Sequence, residues 1–208
     1  MMDAMAIVNR GFVGRPDRSG VKLPPGQYRT FDFPVLSAEP TPDIALSDWR
    51  LTVQPTGGPL RSYRWDDFTA LPHTDITTDI HCVTRWSKFD TRWRGVSMDV
   101  VLDGMVDTDT DTSAEQGYLM AHCYGGYTTN LPIRDLLHGQ AWLVDTYDGE
   151  PLAAEHGGPV RLLVPHLYFW KSAKWVRRLR LMPGDTPGFW ESHGYHMYGD
   201  PWLEQRYS

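Results

Sequence analysis

The stretch Thr74–Thr84, TDITTDIHCVT, is the segment on which the fold turns. Its Thr and Ile side chains are β-branched, stiff at χ1, and pack well on a pleated surface. It therefore reads as a strand that delivers the pair His81-Cys82 at its end. Working outward, Trp49–Gln54 (WRLTVQ) alternates apolar and polar residues and reads as another strand, followed by a turn at Gly57-Gly58-Pro59. Trp65–Leu71 reads as a short helix stopped by Pro72, and Val96–Met105 as a helix with Val96, Val100 and Val101 on one face. Gly117–His122 reads as a strand leading to a second pair, His122-Cys123, and then to the turn Gly125-Gly126. Leu131–Leu137 reads as a short helix with Pro132 in its first turn. Strands are expected at Ala141–Asp145, Val160–Val164 and Lys174–Leu181, with Trp175 to one side of the last. The tail shows no strong periodicity. The class is α+β, mostly β.

The chain has 208 residues, with 20 basic and 26 acidic side chains and a net charge of −6. At roughly 150 residues per domain it makes one folded unit, long enough to bury about 70% of its unfolded surface without staples. We expect an irregular arm over residues 1–30 and a single domain over 31–208. The Pro- and Gly-rich character runs on to about residue 47, with Phe31, Phe33, Val35 and Leu36 as anchors. An acidic chain argues against nucleic-acid or anionic-membrane partners. No apolar run approaches the roughly 18 residues that span a bilayer, so no membrane insertion is expected. The first residues show no apolar leader and no twin arginine, and the expected location is the cytoplasm. The acidic stretch Val106–Gln116 lacks the glycine and terminal Glu of a calcium loop and reads as a solvated loop.

Two cysteines are too few for a disulfide framework. The absence of CxxC, CxxCH, GxGxxG and Walker patterns removes thioredoxin-like chemistry, c-type haem and nucleotide binding. Cys82 lies beside His81, with Arg85 three residues on, a neighbourhood that favours the thiolate; a buried structural cysteine is the competing reading. The two His-Cys pairs supply enough ligands for zinc, although neighbouring side chains on a strand face opposite sides. His156, on a Gly-rich turn, with Arg161, Lys171 and Lys174 among Trp170 and Trp175, forms either a phosphate cradle or a surface turn before a basic strand.

Five stretches together resemble one family. DIHCVTRWS (79–87), GYTTNLPIRDLL (126–137), DGEPL (148–152), EHGGPVRLLVPHLYFWKSAKW (155–175) and FWESHGYHMYGDPW (189–202) are similar to the sulfite-oxidase family of molybdopterin oxidoreductases. Within it they are nearest to the small bacterial members, among them the periplasmic methionine-sulfoxide reductase subunit. The resemblance runs from about Phe31 to the end of the chain and implies a molybdopterin-binding domain of mixed sheets with short helices.

It also implies roles. Cys82 would ligate molybdenum beside the two dithiolene sulfurs of one molybdopterin per chain. His156 and Arg161 would hold the pterin and its phosphate, and Ser172, Ala173 and Lys174 would clasp it from the other side. Tyr195, five residues after Trp190, would stand near the oxo ligand as a second catalytic residue. Phe33 and Val35 fall in the loop that closes over the pterin, and either His122 or Cys123 makes a further contact. Arg85 is the positional candidate for a substrate arginine. The implied reaction is oxygen-atom transfer on a small oxyanion or sulfoxide, with a separate electron-transfer protein because no haem, flavin or iron–sulfur motif is present. A monomer is expected, since 208 residues leave no room for the dimerisation and haem domains of the animal enzymes. The alternatives are a protein that binds or carries the cofactor without turnover, and a zinc hydrolase built on the His-Cys pairs.

Overall fold

The computed structural model describes residue 20 and residues 22–106 and 117–208. Most of the N-terminal arm and all but the first residue of the acidic stretch 106–116 lie outside the described residues. In chain order the elements are β1 (Tyr28–Arg29), β2 (Arg50–Gln54), β3 (Arg61–Arg64), α1 (Trp65–Thr69), β4 (His73–His81) and β5 (Trp86–Ser97). There follow α2 (Met98–Val101), β6 (Tyr118–Cys123), β7 (Thr128–Pro132), β8 (Trp142–Tyr147), β9 (Glu150–Pro151), β10 (Arg161–Leu163) and β11 (Val176–Met182). The expected class, mostly β with short helices, is what these elements form.

Two sheets carry the chain. In the first, β5 is central: β4 pairs along one edge, while β1 and β8 share the other, and β10 and β9 pair with β8. The second has the order β3-β2-β11-β6-β7. Both are mixed, because β1 runs parallel to β5 and β2 parallel to β11. The main core lies between them: Leu51, Val53, Leu119, Ala121 and Leu179 of the second sheet meet Val96, Leu143 and Leu162 of the first. Each fully buried Leu or Val there contributes about 1.5–3 kcal/mol. Successive strand residues point to opposite faces, so Val144 and Leu163 bury on the far side of the first sheet, with Ile80, Cys82, Trp86 and Trp93. The first sheet is thus buried on both faces, and its far face holds Cys82.

Several expectations are corrected. Trp86–Ser97, with no sequence assignment of its own, is the longest strand among the described residues. Val96 belongs to it, so the helix expected over Val96–Met105 shrinks to the four residues of α2. Ser97 Oγ accepts from Asp99 N at 3.2 Å and caps that turn. The expected helix Leu131–Leu137 is mostly not one: Leu131 pairs with Leu119 as strand, and only Ile133–Asp135 forms a 3-10 turn. Helix α1 stands as expected, with Phe68 packed on Trp49 at 5.3 Å. Among the supposed anchors only Phe33 is inside. Phe31, Val35 and Leu36 are 79%, 50% and 49% exposed. No strand ladder forms over residues 30–36, so nothing keeps alternate side chains on one face.

Candidate active site

Cys82 stands in the turn joining β4 to β5. Its N–H donates to Trp86 O at 2.9 Å, and its carbonyl accepts from Arg85 N at 3.0 Å. Arg85 takes the left-handed conformation (φ 78°) that closes the turn and leaves its side chain exposed. Gln27 Nε2 donates to Cys82 O at 3.0 Å, and Thr84 Oγ1 donates to the sulfur at 3.1 Å. Burial pushes the thiol up; Thr84 and the charge of Arg206 oppose that. The sequence argument relied on Arg85 to favour the thiolate, and the structure corrects it. The cation that counts among the main causes of the shift is the buried guanidinium of Arg206, not the exposed one of Arg85.

A cradle of cations lies beside this turn. Arg161, 2% exposed, donates from Nη1 to His156 O at 2.7 Å and from Nη2 to Ser172 O at 2.6 Å. Its guanidinium lies 4.0 Å from the ring centroid of Phe169, and its buried Nε has no hydrogen-bond partner. Burial lowers it to about 9, against the charges of Cys123 and Cys82, which would raise it. Lys174 donates to Glu155 O at 2.8 Å and is lowered to about 8, by burial first and then by repulsion from Arg161. His156, stacked on Phe33 at 3.9 Å, is lowered by burial and by Arg161. Gly157 has φ 109°, and a Cβ there would meet Arg161 Cβ and Lys174 Cβ at 3.0 Å, so only glycine lets the turn close on both.

The segment 172–174 aligns with β10 through its backbone. Ser172 Oγ accepts from Val164 N at 2.9 Å, and Ala173 O accepts from Leu162 N at 2.8 Å. Ser172 and Ala173 therefore place the chain, and Lys174 carries the charge. Val35 is exposed. Tyr195 packs edge-on to Trp170 at 5.1 Å and against Trp190 at 4.9 Å. Burial raises its hydroxyl to about 12, with Tyr207 next and then the nearby Cys82 charge.

The two His-Cys pairs do not meet in one metal site. His81 turns away from Cys82, its Nδ1 2.8 Å from Ser87 Oγ and its ring edge-on to Phe89 and Trp202. The second pair belongs to the other sheet. Among the described residues no three His, Cys, Asp or Glu side chains are grouped to hold an ion. Of that pair it is Cys123, in the main core, whose charge is felt by Arg161. Sequence reading missed Gln27, Tyr168, Phe169 and Arg206. The high aromatic content was the available signal for Tyr168 and Phe169; for Gln27 and Arg206 there was none.

No carboxylate among the described residues serves this cradle: Arg161, Lys174 and His156 form no ion pair with one. Burying the unpaired cation of Arg161 is costly, and an anionic ligand offsets that cost. A soft thiol beside a buried guanidinium, a lysine and a histidine fits a metal carried on an anionic, phosphate-bearing organic group.

The comparisons with known proteins agree. Residues 38–190 match the oxidoreductase molybdopterin binding domain. The chain belongs to the sulfite-oxidase family of molybdopterin oxidoreductases. It is 40% identical to the uncharacterized oxidoreductase YuiH of Bacillus subtilis, over 95% of this chain and 98% of that one. It is 29% identical to a putative protein-methionine-sulfoxide reductase subunit, YedZ1, of Azospira oryzae, over 76% of this chain and 58% of that one. To human mitochondrial sulfite oxidase it is 25% identical, over 75% of this chain and 33% of that one. The sulfane dehydrogenase SoxCD of Paracoccus pantotrophus shares the fold, with a TM-score of 0.59 at 21% identity over 69% of this chain and 40% of that one. The family resemblance read from the five stretches is thus established. Among the described residues no helix of this family member is long and apolar enough to cross a membrane.

Proposed function

We propose that this oxidoreductase transfers an oxygen atom between water and a small oxyanion or sulfoxide, with two electrons and two protons exchanged. The observation that carries the reading is the buried Arg161, without a carboxylate, beside the Cys82 turn. Relatives named for sulfite and for methionine sulfoxide support the substrate class. When bound, the molybdenum–molybdopterin group supplies the two-electron change. Cys82 would ligate the metal through its thiolate. Arg161, Lys174 and His156 would hold the pterin and its phosphate, and Ser172 and Ala173 would fix the strand edge that carries them. Phe33, stacked on His156, would wall the pterin from water. Tyr195 stays protonated below about 12, so its hydroxyl is a donor for the oxygen that joins or leaves the substrate. One cofactor per chain, a monomer in the cytoplasm and a separate electron-transfer protein complete the proposal.

The test is metal and pterin analysis of the chain from a molybdopterin-producing host, followed by dye-coupled assays of sulfite oxidation and sulfoxide reduction. We expect molybdenum and pterin near one per chain, with turnover in one of the two assays. Bound cofactor that turns over neither substrate class would overturn the proposed reaction. Zinc, or no metal in a folded chain, would overturn the cofactor assignment.

A further inference from the structure

The Cys82 turn is held from two remote parts of the chain. Arg206, whose side chain is 8% exposed, comes from the C-terminal tail, which is pinned by the bridge Tyr195↔Tyr207. Its Nη1 donates to Val83 O at 2.5 Å, and its Nη2 to Pro25 O at 3.1 Å and Gln27 Oε1 at 3.3 Å. The guanidinium lies over the Tyr168 ring at 4.9 Å, and Nε faces the exposed Glu204 carboxylate at 3.5 Å. Gln27 in turn donates to the carbonyls of Cys82 at 3.0 Å and Trp86 at 3.3 Å. Cys82 and Val83 thus have both carbonyls fixed by side chains from outside the turn. Only a guanidinium has the fork of donors to reach the turn and the Pro25–Gln27 segment at once; an ammonium is a point donor.

We propose that Arg206 is a positioning residue for the metal-ligating thiol, acting with Gln27 to hold the Cys82–Val83 backbone so that the sulfur is presented in one orientation. The inference rests on the assignment of Cys82 as the metal's thiolate, and it concerns a residue outside the cation cradle. Charge-assisted hydrogen bonds to backbone carbonyls are among the stronger ones in a fold. Their loss frees the turn locally, because the main core between the sheets does not depend on them.

The test compares alkylation of Cys82 and Cys123 by iodoacetamide, mapped by mass spectrometry. The full-length chain is made with and without molybdopterin synthesis. Loss of the Arg206 charge disfavours the thiolate while release of the turn exposes the sulfur, so the Cys82 rate is compared per thiolate, from its pH dependence. In the cofactor-free chain, Arg206→Ala should raise that rate about tenfold and leave Cys123 unchanged. Arg206→Lys should lie between, and added guanidinium ion should slow Cys82 again in the Ala variant. Gln27→Leu, which leaves Arg206 in place, should move Cys82 in the same direction. In the loaded chain Arg206→Ala should shift the Mo(V) paramagnetic resonance spectrum at unchanged molybdenum content. An unchanged Cys82 rate overturns the proposal. So does a parallel rise at Cys123, which marks general loosening of the fold. The alkylation result decides the role of Arg206 even where metal analysis refutes the cofactor assignment, so the two can fail separately.

Discussion

The dipeptide His-Cys occurs twice, and its two copies have opposite fates. His122-Cys123 ends a strand of the inner sheet pair, where Cys123 joins the main core and burial pushes its thiol up, with Glu39 adding to the effect. His81-Cys82 sits where β4 breaks into a turn, with its sulfur accepting from Thr84 and its carbonyl held by Gln27. Both thiols are buried, so burial does not separate them. The difference is the polar company: the Thr84 hydroxyl and the charge of Arg206 act on Cys82, and the hydroxyls of Tyr168 and Tyr195 feel its charge, whereas Arg161 feels both cysteines. A cysteine becomes a site through what converges on it from elsewhere in the chain.

The largest expected effect tests that contrast directly. Cys82→Ser should abolish molybdenum retention and turnover, whereas Cys123→Ser should keep the metal, as read by plasma mass spectrometry. Equal loss in both variants would break the comparison. Next in size, Arg161→Met should strip pterin from the purified chain, because no second buried cation is placed to take over; released pterin fluorescence reads this.

A pH dependence comes third. Lys174 stands at about 8 in the cradle, against 10.5 for an ordinary lysine. An anion would raise it, so binding takes up a proton above about 8, is tightest below that pH and weakens as pH climbs toward 10.5. Calorimetry with inorganic phosphate on the cofactor-free chain should show this trend, and Lys174→Met should flatten it. Arg161, at about 9, adds to the same window with the same sign.

Two smaller effects concern packing. Cys123→Ser should cost about 1–3 kcal/mol by burying a hydroxyl in the core, read as a lower melting temperature. Val35→Ala, at an exposed side chain, should stay within about 0.5 kcal/mol. A larger loss at Val35 than at Cys123 would show that the N-terminal segment matters more than the inner core.

Much of the fold was legible because its strands advertise themselves. WRLTVQ alternates, and Thr74–Thr84 is β-branched, so both were read where β2 and β4 lie. Strand β5 was not, because WSKFDTRWRGVS hides its inward Trp86, Thr91, Trp93 and Val96 among Lys, Asp and Arg. A pairing irregularity also breaks its period, where β5 spends three residues, from Thr91 to Lys88, against two of β4, from Thr78 to Ile80. The candidate site was legible through its motifs, in which His156, Arg161 and Lys174 fall within twenty residues. That Val35 is exposed was not legible, because motif position says nothing about exposure. Arg206 and Gln27 stayed invisible because their role is created by a contact across nearly the whole chain.

That contact orders events in time. The hydrogen bond from Arg206 to Pro25 joins residues 181 apart in sequence. Loops of that length close late, after local pairs such as β4 and β5 have formed. The clasp on the Cys82 turn forms only once residues 25 and 206 are both available to it. The two sheets are therefore in prospect well before the thiol is set, and the Cys82 turn is among the last parts of this fold to be fixed.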